Sequence, residues 1–202
     1  MTSIDVYADI VCPFAYIGLT RLIHRRQELG REDVHLRILS WPLEWVNAKP
    51  VDPHFIEEEI DEIRPQVATD LFTGFDVSAF PASSVPGLAL TAAAYEVSDQ
   101  VGEKVAMGLR RLLFEDGRDV NDPEVLAEVA AEHGLSMPCE PDGPVQAQYD
   151  EGKGRGVVGS PHFFVGDVPT FCPSLDIKRV DGELVVKVDE EAFEDLSNTI
   201  FS

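Results

Sequence analysis

A short β-prone segment runs directly into a cysteine, a proline and then a helix, and this junction constrains the fold more than any other feature of the chain. Residues 3–11 read SIDVYADIV, with Ile4, Val6, Tyr7, Ile10 and Val11 in partial alternation. Cys12 and Pro13 follow at once. Proline suits the first position of a helix, because the N–H it lacks would be unpaired there. From Phe14 to Leu29 the residues Leu19, Leu22, Ile23 and Arg26 recur at helical spacing, and Gly30 ends the run. A second strand is predicted from Val34 to Trp41, with Val34, Leu36, Ile38 and Ser40 on one face, and Pro42 breaks it. The chain therefore opens as strand, helix, strand.

The middle of the chain is helical. Phe55, Ile56, Ile60 and Ile63 recur at helical intervals up to Pro65, with carboxylates between them. Residues 87–97 are Ala/Leu-rich, and Val101, Val105, Leu109, Leu112 and Leu113 mark another amphipathic helix. Asp122-Pro123 reads as an N-cap and a first helical position, opening a helix that closes at Gly134. The tail returns to strands. His162 to Val165 and Val168 to Phe171 flank Gly166-Asp167, a two-residue hairpin turn. A second hairpin spans Ile177 to Val188 around Asp181-Gly182, and Asp189 caps a last helix containing Phe193, Leu196 and Ile200. The order predicts an α/β fold split by an inserted helical block rather than a doubly wound sheet.

Charge and cysteine content exclude several classes. The formal net charge is −21 over 202 residues. A uniformly negative surface repels nucleic acid and anionic membrane, and serves solubility. No stretch of eighteen apolar residues occurs, and the N-terminus MTSIDVYADIVCP has no basic leader, so a cytoplasmic protein is expected. There are three cysteines, Cys12, Cys139 and Cys172, widely spaced and odd in number. That pattern predicts neither a disulfide framework nor a metal site.

Cys12 carries the chemistry. A sulfur at a helix start faces unpaired N–H groups and the positive end of the helix dipole, both of which favour the nucleophilic thiolate. A buried cysteine packing as a small hydrophobe leaves the same trace. A second signal lies in Gly156 to Phe164, where Ser160-Pro161 follows flexible glycines and precedes an apolar strand. Such a proline is a candidate for a cis bond, although trans is the commoner state.

Together the two segments resemble a known family. Residues 9–18, DIVCPFAYIG, are similar to the active-site segment of DsbA-type thioredoxin-like proteins, above all the cytoplasmic branch with 2-hydroxychromene-2-carboxylate isomerases and kappa-class glutathione transferases. Val158-Gly159-Ser160-Pro161 resembles that family's cis-proline loop, Trp41-Pro42-Leu43 the segment closing its second strand, and residues 116–135 its helical insertion. The resemblance implies a thioredoxin-like fold with an inserted all-helical domain. Residues 1–50 and 145–202 would form the thioredoxin-like domain and residues 53–140 the insertion, with the active-site groove between them. It implies Cys12 as the catalytic residue, with Pro13, Phe14, Ala15, Ser160, Pro161 and His162 binding a substrate or small thiol. It also implies glutathione or another low-molecular-weight thiol as cofactor or co-substrate, with nothing bound tightly.

The sequence departs from the family in two places. DsbA-type oxidants carry a second cysteine three residues after the first, where this chain has Ala15. The isomerase and transferase relatives typically carry serine where Cys12 stands. Three readings follow: a single-cysteine thiol–disulfide oxidoreductase resolved by an external thiol or a second cysteine, a thiol-dependent isomerase or transferase, and a non-catalytic thioredoxin-fold binding module. The Gly166-Asp167 turn would pair Val165 with Val168, His162 with Phe171 and Pro161 with Cys172. Cys172 is thus a candidate resolving or pocket residue, about two strand spacings from the first strand. The acidic run Glu57, Glu58, Glu59, Asp61 and Glu62 reads as a solvated helix face. Tyr16 reads as core, and Trp41 and Trp45 as packing in or near the groove.

Overall fold

The computed structural model describes residues 4–136, 143–180 and 183–201. Strands β1 (Ile4–Ala8) and β2 (Leu36–Ser40) flank helix α1 (Pro13–Glu28). Helices α2 (Leu43–Val46), α3 (Pro53–Val67), α4 (Val85–Val97), α5 (Asp99–Phe114), α6 (Pro123–Glu132) and α7 (Pro144–Arg155) follow. The chain closes with β3 (His162–Val165), β4 (Val168–Phe171), β5 (Leu175–Val180), β6 (Glu183–Val188) and α8 (Glu190–Phe201). The main sheet has the order β2-β1-β3-β4, with β1 parallel to β2 and antiparallel to β3. Strands β5 and β6 form a separate two-stranded sheet that packs on α3.

The first strand sorts its side chains by alternation. Ile4, Val6 and Ala8 join Leu19 and Leu22 of α1 and Phe193, Leu196 and Ile200 of α8 on one face. Tyr7 points the other way, into a cluster with Leu39, Trp41 and Phe164 against Tyr149 of α7. The helical block has a larger core around Ile60, Ile63, Leu90, Leu109 and Leu113, which extends to Ile10, Tyr16 and Ile17 at the start of α1.

The outer edge of β2 is closed by side chains. An uncovered edge strand presents unpaired backbone groups that must find partners or pair with another chain. Here Glu103 of α5 accepts from the Leu36 N–H at 2.8 Å. The Tyr95 hydroxyl accepts from the Ile38 N–H at 2.8 Å and donates to the Leu36 carbonyl at 2.7 Å. Gln148 of α7 accepts from the Ser40 N–H at 2.9 Å. Glu103 also pairs with the buried Arg26 of α1 at 2.6 Å, so one carboxylate joins three elements.

Several expectations need correction. Helix α3 does not stop at Pro65 but runs through it to Val67. A proline in the last turn forfeits one backbone hydrogen bond, and the buried stripe Ile56, Ile60 and Ile63 is complete before it. Helix α7 was not expected, because its two glycines break any apolar period. Gly152 lies so close to the sheet that a Cβ there would meet Trp41 at 2.8 Å and Tyr7 at 2.9 Å. The glycine that hides the helix in the sequence is what lets it pack. The Asp181-Gly182 turn and Cys139 lie outside the described residues.

Candidate active site

Cys12 is the N-cap of α1, with extended backbone (φ −84°, ψ 112°) and Pro13 behind it. Its carbonyl accepts the first helical bond from the Tyr16 N–H at 3.2 Å. Its thiol donates to the Ser160 carbonyl oxygen at 3.2 Å. The Ser160–Pro161 bond is cis, as the sequence suggested. The predicted hairpin register holds: Val165 pairs with Val168 and His162 with Phe171, and the Cys172 N–H donates to the Pro161 carbonyl at 3.0 Å. Residues about 150 positions apart thus meet because β3 returns alongside β1.

One buried carboxylate ties these segments together. Asp9 is fully buried just before Cys12. Its carboxylate accepts from the Val11 N–H at 3.3 Å and the Leu43 N–H at 2.5 Å. Its own N–H donates to the Ser160 hydroxyl at 3.0 Å, and its carbonyl accepts from the buried Arg110 guanidinium at 3.0 Å. Burial raises the Asp9 pKa, against the pull of its hydrogen bonds and of Arg110. Burial likewise lowers Arg110 to about 10, with Asp9 opposing. Sequence reading missed this pair. The signal was a carboxylate among apolar residues three positions before Cys12, and an arginine on the buried stripe of α5.

The sulfur opens on a cavity of about 460 Å³. Cys12, Pro13, Phe14 and Ser160 form one wall, and Val51, Phe55, Ile56 and Glu59 face them. Lys49 and Asp52 stand on the rim loop between α2 and α3. Glu59 corrects the reading of the acidic run as a solvated face, since its side chain is only 12% exposed. It lies three residues after Ile56 and four before Ile63, on the buried stripe, and that spacing was visible in the sequence. Burial pushes Glu59 up to about 7, with Arg179 pulling down and Glu62 adding to the rise. Glu62 is also engaged, accepting from the Leu184 N–H at 3.0 Å.

The expected thiolate at Cys12 is not what the resting site favours. Burial pushes the thiol up to about 11. The Ser160 hydroxyl and the Ala15 N–H pull it down, while the charges of Glu59 and Asp9 push it further up. A thiol 3% exposed loses more from desolvation than the helix start returns.

The remaining candidate residues divide clearly. Ala15 is fully buried beneath Cys12, and Pro161 is buried behind it; neither lines the cavity. His162 is turned to the opposite face of the sheet, where its ring stacks on Phe164 at 4.9 Å and its Nδ1 accepts from the Val158 N–H at 3.2 Å. Burial lowers its pKa, so it stands neutral and holds the loop rather than facing the sulfur. Cys172 is buried and free, with φ +43°, and lies outside the cavity lining. Burial, and next the Cys12 charge, push it up to about 12. Tyr16 packs between Phe72 and Phe114, and Trp41 and Trp45 pack on Tyr149. A larger cavity of about 590 Å³, between α1, α5 and α6, has no cysteine in its lining, and its Glu103 is committed to Arg26.

No helix among the described residues is long and apolar enough to cross a membrane. No curated protein sequence matches the chain. Among solved structures it is similar to the cytosolic disulfide reductase DsbM from Pseudomonas aeruginosa, at 20% identity over 97% of both chains with a TM-score of 0.61. The same reductase with GSH matches at 17% identity over 97% of this chain and 98% of that one, with a TM-score of 0.52. A 2-hydroxychromene-2-carboxylate isomerase matches at 16% identity, over 83% of this chain and 87% of that one, with a TM-score of 0.61. These likenesses establish the fold. The sequence itself matches the DSBA-like thioredoxin domain over residues 3–185, nearly its whole length. By that match the chain belongs to the DSBA-like thioredoxin domain family.

Proposed function

We propose that this protein is a single-cysteine thiol–disulfide oxidoreductase of the cytoplasm, with Cys12 as the exchanging sulfur and a low-molecular-weight thiol as resolver. The observation that carries the reading is that Cys12 is the sulfur lining the 460 Å³ cavity, while Ala15 occupies the place of a resolving partner and Cys172 lies behind the wall. In the first step the Cys12 sulfur attacks a disulfide, forms a mixed disulfide with one half and releases the other half as a thiol. In the second step an external thiol attacks the mixed disulfide. A new disulfide leaves, and the Cys12 thiol is restored. Atoms and electrons balance across the two steps without any further oxidant.

The cavity suits a small thiol, with apolar walls from Phe14, Phe55 and Ile56 and polar groups from Lys49, Asp52 and Glu59. GSH, found with the DsbM neighbour, is the first thiol to test. In this reading residues 1–50 and 145–202 supply the sulfur and the Ser160 loop, and residues 53–140 supply the facing wall. A thiol-dependent isomerase is the second reading. It is favoured by the raised Cys12 pKa, which suits orienting a bound thiol better than attacking with its own.

Incubation with oxidised glutathione at pH 8.5, followed by acid quench and peptide mass mapping, tests the proposal. The expected result is one adduct on Cys12, removed by reduced glutathione and absent from Cys12→Ser. No adduct on Cys12, together with glutathione-dependent turnover of a cis-alkene substrate, would move the assignment to the isomerase.

A further inference from the structure

We propose that Glu59 is the proton carrier of the Cys12 site, taking the proton from an incoming thiol and passing it to the Cys12 sulfur as that sulfur leaves a mixed disulfide. The inference rests on the reading of Cys12 as the exchanging sulfur and adds a residue to it.

The geometry supplies the case. Glu59 and Cys12 line one cavity from opposite elements, α3 and the head of α1, with Ser160 on the same wall as the sulfur. The Glu59 charge raises the Cys12 thiol. Most of the Glu59 side chain is buried, yet it faces a space large enough for a small thiol. Other charged groups around it are accounted for. Arg179 of β5 approaches only to 3.9 Å, Glu62 of its own helix is engaged with the Leu184 N–H, and Lys49 and Asp52 stand at the rim. Asp9, the other carboxylate near the sulfur, is fully buried with its oxygens committed to the Val11 and Leu43 N–H groups.

The chemistry needs such a group. Cys12, with its pKa near 11, is a poor leaving group unless it is protonated as it departs. An incoming small thiol is largely protonated at neutral pH. A carboxyl near 7 can hold the proton between the two sulfurs, because a proton carrier works best when its pKa lies near the working pH. The step conserves everything: the incoming S–H breaks, its sulfur bonds to the outer sulfur of the mixed disulfide, the S–S bond to Cys12 breaks, and the proton passes through the Glu59 carboxylate to Cys12.

The test follows the release of an L-cysteine adduct from Cys12 by 2-mercaptoethanol, between pH 5.5 and 8.5. Samples are acid-quenched, and the Cys12 peptide is identified by mass. Unassisted exchange follows the thiolate and rises tenfold per pH unit below the thiol's pKa. With Glu59 as base, the wild-type rate rises to about pH 7 and then levels off. Glu59→Gln keeps rising throughout and is slower at pH 7 by roughly 10²-fold. Glu59→Asp restores part of the levelling, and circular dichroism confirms that both variants fold. A wild-type profile with no levelling overturns the inference without recourse to any variant. So does a Glu59→Gln profile that levels as the wild type does. A protein that forms no Cys12 adduct overturns both this inference and the function on which it rests, so the two failures are told apart.

Discussion

The thiol hydrogen of Cys12 and the carbonyl oxygen of Ser160 meet at 3.2 Å, across 148 positions of sequence. The contact is one that the neutral thiol makes, because only an S–H can donate to a carbonyl. It also places the Cys12 sulfur against the backbone of the cis Ser160–Pro161 loop.

The first prediction concerns reactivity in the free protein. With its thiol near 11, Cys12 should react with iodoacetamide roughly 10²-fold more slowly than free cysteine at pH 7.5. The rate should rise steadily to pH 10 without levelling. Peptide-resolved mass spectrometry reads this directly, and a plateau near neutrality would show that the helix start outweighs burial after all.

Glu59 gives a prediction on stability. Its folded pKa, about 7, lies above its ordinary 4.5, so the folded state favours the neutral acid. Stability from this group is complete below about pH 4.5 and declines as pH rises to about 7. Glu59→Gln should therefore raise stability by about 2 kcal/mol at pH 8 and change little at pH 4.5. Urea unfolding at the two pH values measures the difference; equal effects at both would mean that the carboxyl is not strained by burial.

Asp9→Asn should be costly. An amide has one acceptor oxygen where the carboxylate serves two N–H groups, and it leaves Arg110 without its counter-charge. A loss of about 3 kcal/mol in urea unfolding is expected. The exchange of Cys12 should slow as well, since the Asp9 carboxylate holds the Leu43 N–H and Leu43 lines the cavity. Wild-type stability in this variant would remove Asp9 from the architecture of the site.

Tyr95→Phe tests the closed edge of the sheet. The variant leaves the Ile38 N–H and the Leu36 carbonyl without the hydroxyl that serves both. A loss of about 2 kcal/mol is expected, with an unchanged denaturant slope. A loss below a few tenths would mean that solvent replaces the hydroxyl at this edge.

Local sequence pattern specifies the elements around the sulfur and the hairpin that returns to it. The apolar strand, the Cys12-Pro13 start of α1 and the Gly166-Asp167 turn are written in nearest-neighbour chemistry, so the approach of Cys172 to Pro161 was legible, while the cis Ser160–Pro161 bond was implied only by the family resemblance. Whatever depends on burial from several directions at once came from tertiary packing. It raised the Cys12 thiol instead of lowering it, because desolvation by the assembled cavity exceeds what one helix start provides. It turned Glu59 inward out of an acidic run, and His162 away from the sulfur, because helix rotation and strand pleat are fixed only once each element packs. It made α7 a helix despite Gly152, because the sheet needed a close neighbour that no side chain would allow. Local pattern specifies which segments form; the electrostatic state of a buried group belongs to the assembled fold, because it sums over neighbours that the sequence does not place side by side.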